Sequence, residues 1–233
     1  MRVPARKVYP TAPFSAREAG TAAAAPREYT RRTMKMLHRP DLFGWSQFDT
    51  ARNIDFHGLL WVRPDGNVVI DPLPLTDHDA AHLTALGGAA HIVITNSDHV
   101  RDAARLKETT GARLYGPAAE RATFPVACDV WLADGDTVVP KLTVVALAGS
   151  KTPGELALVL DGTTLITGDL VRAHCGGALT LLPDAKLADR ALALDSLRRL
   201  VALDAIDAVL PGDGWPVFRG GHQVLSELLE RLC

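Results

Sequence analysis

Four short segments constrain this chain more than any other feature: Thr95-Asn96-Ser97-Asp98-His99, Thr152-Pro153-Gly154-Glu155, Thr167-Gly168-Asp169 and Pro211-Gly212-Asp213-Gly214. Each follows a short apolar run and sets a carboxylate or imidazole at the exit of that run, where loops collect functional groups. Glycine adjoins the acid in three of them, which lets backbone and ligand approach closely. A fold that honours all four brings several strand ends to one rim.

The pattern between these segments alternates strand and helix. Leu59–Val62 and Val68–Ile70 flank Pro64-Asp65-Gly66-Asn67, which reads as a hairpin. Asp77 to Leu86 is helix-compatible and stops at Gly87-Gly88. Ala90–Thr95 has the composition of a buried strand, and Asp98–Thr110 reads as an amphipathic helix closed by Gly111. Further strands are expected at Arg113–Tyr115, Val130–Leu132, Leu142–Leu147, Leu156–Leu160, Thr164–Thr167 and Ala208–Leu210. Long helices are expected at Lys186–Leu203 and Gln223–Leu232. Two packed sheets covered by helices account for this order, in one domain over residues 45–233.

Composition narrows the functional classes. Of 233 residues, 47% are apolar and 22% charged, an ordinary globular balance. No run reaches the roughly 18–20 apolar residues of a membrane-spanning helix, so no membrane partner is expected. Cys128, Cys175 and Cys233 are an odd count without a close pair, which offers neither a disulfide framework nor a metal knuckle. A reducing compartment, the cytoplasm, follows as the expectation. The net charge of −2 divides into +7 over residues 1–40 and −9 over the remainder. An acidic body argues against nucleic acid as a partner. Residues 1–44, rich in Pro and Arg, read as a basic arm that lies over the domain or joins a homo-oligomer.

The order and spacing of the acid-bearing segments resemble the metallo-β-lactamase-fold hydrolase superfamily from Trp45 to Leu232. Asp71 after its apolar strand resembles the first motif, and Asn96-Ser97-Asp98-His99 the second half of its His-x-His-x-Asp-His motif. Lys151-Thr152-Pro153-Gly154-Glu155 is similar to its Thr-Pro-Gly-His loop. Thr167-Gly168-Asp169 is similar to its bridging-aspartate motif, and Leu210-Pro211-Gly212-Asp213-Gly214 to its Pro-Gly-His-Gly loop. The resemblance implies an α/β four-layer αββα sandwich and, in active members, a dinuclear metal site that activates water. Aligned without gaps, Ile94, Asn96, Glu155 and Asp213 stand where the superfamily has histidines. One metal site thereby loses its ligands, since Ile94 cannot ligate and Asn96 is a weak neutral donor. The other keeps Asp98, His99, Asp169 and Asp213, an oxygen-rich set suited to one Mn²⁺, Fe²⁺, Mg²⁺ or Zn²⁺.

Electrostatics adds an independent demand. Asp98, Glu155, Asp169 and Asp213 at one rim cannot all ionise without a cation. A metal, protonated acids or an intruding basic side chain would satisfy them, and Lys151, Arg101 and Arg172 are close in sequence. Taken singly, Asp98 reads as a helix N-cap and the Gly-Asp pairs as turns. His57, Asp71, Asn96, His174 and Trp215 are expected to line the pocket, with Trp215 over it. Two functional readings follow. One is a metal-dependent hydrolase of an ester, thioester, lactone or amide small molecule, with Asp169 and Glu155 catalytic and Glu155 as base. The other is a catalytically lapsed binding or structural module on the same scaffold.

Overall fold

The computed structural model describes residues 34–232. Residues 1–33, the greater part of the basic arm, lie outside the described residues. The domain begins earlier than Trp45. Strands β1 (Lys35–Met36) and β2 (Leu42–Asp49) already belong to it. Met34 and Leu42 are buried, and the Met34 amide donates to Asp79 Oδ1 at 3.0 Å. Gly44, Ser46 and Gln47 interrupt the apolar alternation of β2, so its pairing with the next strand, not its own pattern, defines it.

The first sheet continues through β3 (Ile54–Trp61), β4 (Val68–Ile70), β5 (His91–Val93), β6 (Arg113–Pro117) and β7 (Val130–Leu132). Its strands lie in chain order, antiparallel up to β4 and parallel beyond it. Helices α1 (Asp77–Ala85) and α2 (Ala103–Thr110) make its crossovers. The second sheet holds β8 (Thr137–Val139), β9 (Leu142–Leu147), β10 (Glu155–Leu160) and β11 (Thr164–Thr167). A separate hairpin follows, β12 (Val171–Cys175) and β13 (Ala178–Leu181), and then α3 (Arg190–Val201). Strand β14 (Ala208–Pro211) returns parallel to β11 and completes the sheet order β14-β11-β10-β9-β8, and α4 (Gly221–Leu232) closes the chain.

Side-chain alternation sorts the layers. Leu59, Trp61, Val68, Ile70 and Val93 meet Leu156, Leu158, Leu160, Ile166 and Leu210 in a core between the two sheets. Their neighbours Leu60, Val69, Ile92 and Ile94 face the other way, onto Leu83 of α1 and Leu106 of α2. Ala157, Leu165 and Val209 likewise face Leu197 and Leu200 of α3 and Leu225 and Leu228 of α4. This period of two in strands buried on both sides produces the αββα sandwich.

Two helices differ from expectation. The segment after Asn96 forms one 3-10 turn (Ser97–His99), and α2 starts only at Ala103. Between them Arg101 adopts φ 44°, a left-handed backbone that breaks the helix. The long helix starts at Arg190, because Asp189 caps it by accepting from the Leu192 amide at 3.0 Å. Among the described residues no helix is long and apolar enough to cross a membrane.

Candidate functional site

The site lies where the C-terminal ends of β4, β5, β11 and β14 meet. Asp71 leaves β4 with φ 47°, and its buried carboxylate organises the first layer. The Thr95 amide donates to Asp71 Oδ1 at 2.8 Å, and the Thr95 hydroxyl donates to Asp71 Oδ2 at 2.6 Å. His99 Nδ1 donates to the same Oδ2 at 2.7 Å. Its other nitrogen, Nε2, stands 3.5 Å from Asp169 Oδ2. Burial by itself would lower the His99 pKa, but the Asp71 charge and the bonds to Asp169 and Asp71 push it up to about 9. His99 is thus held between two carboxylates, which favour the charged ring.

Asp169 is the hub. Its Oδ2 accepts from Asn96 Nδ2 at 3.0 Å and from Lys151 Nζ at 3.1 Å, beside His99. Burial would raise its pKa, yet the bond and charge of His99 and the Lys151 charge hold it well below the usual carboxylate range. Lys151 Nζ also reaches Asp98 Oδ2 at 2.5 Å. Burial opposes the charge on Lys151, and Asp169 and Asp98 more than restore it, so its pKa is raised. Asn96 orients the turn as well, because its Oδ1 accepts from the Asp98 amide at 3.0 Å.

Asp213 is held separately. Arg172 Nε donates to Asp213 Oδ1 and Oδ2 at 2.8 and 2.9 Å, and Arg172 Nη2 also donates to Oδ2. Both groups are buried. His174 Nε2 adds a contact to Asp213 Oδ1 at 3.3 Å from a partly exposed position. Glu155, fully buried, accepts from the Ser150 hydroxyl and from the Leu170 amide, the latter at 2.6 Å. Burial and the Asp169 charge push its pKa up to about 7, against both hydrogen bonds.

Two glycines permit this density. A Cβ on Gly212 would stand 2.5 Å from His99 Cε1, and one on Gly168 would meet Asn96 Nδ2 at 2.9 Å. Protein groups, not open space, fill the room those glycines leave.

The structure thus brings Asp98, His99, Asp169 and Asp213 to one cavity of about 530 Å³. It does not assemble them as a coordination shell. Among the described residues no three His, Cys, Asp or Glu side chains are arranged to hold a metal ion. His99 Nδ1 serves Asp71 and leaves Nε2 facing Asp169, while Asp98 and Asp169 face the Lys151 ammonium and Asp213 faces the Arg172 guanidinium. Basic side chains thus reach three of the clustered acids, Lys151 meeting Asp98 and Asp169 and Arg172 meeting Asp213. Ile94 is an apolar core residue beneath α1 and α2.

The expected pocket residues separate. Asp71 and Asn96 support the site from within. His57 sits outside the large cavity, bonded to the Ser46 hydroxyl at 2.8 Å and the Gly214 carbonyl at 2.5 Å. Trp215 is 63% exposed and is not part of the cavity wall, because the turn at Gly214 carries it outward. Sequence reasoning assigned no role to Thr95, Arg52 or Lys186. Thr95 lay inside a quoted motif and was the one with a readable signal. Arg52 and Lys186 sit in connecting turns and line the cavity only after folding.

Comparisons with known proteins agree with this architecture. The FIM-1 metallo-beta-lactamase from Pseudomonas aeruginosa, solved in a mono-zinc form, superposes with a TM-score of 0.69 at 15% identity, over 86% of this chain and 95% of that one. The DIM-1 metallo-beta-lactamase gives 0.67 at 15% identity, over 86% and 97%. A hydroxyacylglutathione hydrolase of Pseudomonas savastanoi pv. phaseolicola is 38% identical over 137 residues, 55% of this chain and 47% of its own length. One of Pseudomonas syringae pv. syringae is 38% identical over 118 residues, 41% of this chain and 44% of its own. The chain therefore spans about half the length of the curated relatives it matches. The family model described as the metallo-beta-lactamase superfamily matches residues 34–232, the same span that folds into the sandwich. With sheet order, motif order and family match in agreement, the chain belongs to the metallo-beta-lactamase superfamily.

Proposed function

We propose that this chain is a small-molecule-binding member of its superfamily that works without a resident metal. The observation that carries the reading is the seating of Lys151 between Asp98 and Asp169, at 2.5 and 3.1 Å, with Arg172 on Asp213. Zinc belongs to the superfamily's chemistry, but a divalent ion here would have to displace an ammonium tethered to its own ligands. Free thiols at Cys128 and Cys175 suit the reducing cytoplasm.

The relatives named hydroxyacylglutathione hydrolase favour a second reading, metal-dependent hydrolysis of a thioester. Metal analysis of protein purified without chelator separates the two. Less than about a tenth of an equivalent of any divalent metal, and no turnover of an S-acylglutathione after incubation with Zn²⁺, Mn²⁺ or Fe²⁺, is the expected result. A stoichiometric metal with thioester turnover overturns the first reading.

A further inference from the structure

We infer that the cavity binds an organic anion with an apolar body, an assignment that rests on the metal-free reading above. Five cationic side chains line it (Arg52, Arg101, Lys151, Arg172 and Lys186) against the carboxylates of Asp98, Asp169 and Asp213. Arg172 pairs with Asp213, Lys151 sits between Asp98 and Asp169, and His99 is taken up first by Asp71 and then by Asp169. Arg101 lies in the field of Asp71, Asp169 and Asp213, so the cationic excess of the wall rests on Arg52 and Lys186 at its rim.

Their surroundings preserve that charge. Arg101 donates to the carbonyl oxygens of His57 (2.5 Å), Asp71 (3.1 Å) and Gly212 (3.3 Å), which fix the guanidinium without neutralising it. Among the described residues Arg52 pairs with Asp49 alone, at 3.8 Å and largely in solvent. Lys186 has no ion pair among the described residues and is exposed. A concave wall with excess positive charge concentrates anions.

The same wall is apolar between the charges. Ile54, Phe56 and Leu182 contribute to it, and both Arg52 and Arg101 lie near the Phe56 ring, at 6.0 and 5.4 Å from its centroid. An inorganic anion would leave these groups facing water. A volume of about 530 Å³ has room for more than a bare headgroup. A carboxylate or phosphate head with a hydrocarbon part fits both features.

Isothermal titration with octanoate, octyl phosphate, octylammonium and acetate tests this, in buffer with and without EDTA. Octanoate and octyl phosphate should bind, acetate about tenfold more weakly or worse because it buries almost no hydrocarbon, and octylammonium not at all. Arg52→Glu and Lys186→Glu should each weaken octanoate by about fivefold, whereas Arg105→Glu, outside the cavity, should leave it unchanged. Equal binding of octylammonium and octanoate, no binding of either anion, or indifference to both cavity variants overturns the assignment. Octanoate binding lost in EDTA and restored by Zn²⁺ would instead overturn the metal-free reading and leave the anion preference intact.

Discussion

The two cationic contacts of the site differ in kind. Arg172 and Asp213 have side chains 9% and 1% exposed, and the pair belongs to the interior. Lys151 and Asp98 have side chains 29% and 53% exposed, so water reaches that contact. A buried pair resists loss of one partner, because the other is left as an unpaired charge without solvent. A wet pair contributes little by itself. The Arg172 side is therefore structural, and the Lys151 side is the one that solvent and a ligand can reach.

The sharpest way to break this contrast is Arg172→Met. It should destabilise the domain by about 3–5 kcal/mol, read from urea denaturation, since Asp213 stays buried and loses its guanidinium. Adding Asp213→Asn should recover most of that loss. If Arg172→Met is no worse than a surface substitution, the buried pair is not the structural element described.

Lys151→Met should cost less, about 1–2 kcal/mol, because one of its partners is half in water. It should also uncover Asp98 and Asp169 beside His99. Thermal midpoints of the variant should then rise with added Mn²⁺ or Zn²⁺, while those of the natural protein do not. A natural protein that responds equally would show that Lys151 does not exclude cations.

The remaining test is pH dependence. His99 has its folded pKa raised to about 9 from 6.5, so its stabilisation is complete below pH 6.5 and is lost as pH rises through about 9. Glu155, raised to about 7 from 4.5, contributes below pH 4.5 and loses its contribution as pH rises through about 7. Asp169 is depressed, so its contribution is present above pH 3.8 and is lost in acid. Stability should decline from about pH 5 to about pH 9.5, and His99→Gln should flatten the upper part of that decline. Urea midpoints across this range test it, and an unchanged upper slope in the variant would show that His99 is not the titrating group.

Much of this molecule is written locally. The alternation of Leu59-Leu60-Trp61, Val68-Val69-Ile70 and Leu156-Ala157-Leu158 assigns each side chain to one face of a sheet, and the two-sided burial follows from it. The acid-bearing exits could be placed at one rim for the same reason, since strand ends are set by where apolar runs stop. β1 and β2 were not legible, because Gly44, Ser46 and Gln47 blur the period and pairing with its neighbours, β3 above all, defines β2. Nor was the break at Arg101, where the backbone enters a left-handed conformation as three distant carbonyls hold the guanidinium.

By itself, then, the sequence determined the sandwich, the order of the motifs and the absence of imidazole from Ile94, Asn96, Glu155 and Asp213, all properties of residue type and spacing. It also determined that the clustered carboxylates must be neutralised, by a metal, by protonation or by a basic side chain. Which cation answers them was decided only by tertiary structure. Asp169 meets Lys151 and Asn96, and Asp213 meets Arg172, across gaps of 18, 73 and 41 residues. Coulomb attraction between such groups depends on distance in space, which no local pattern along the chain encodes.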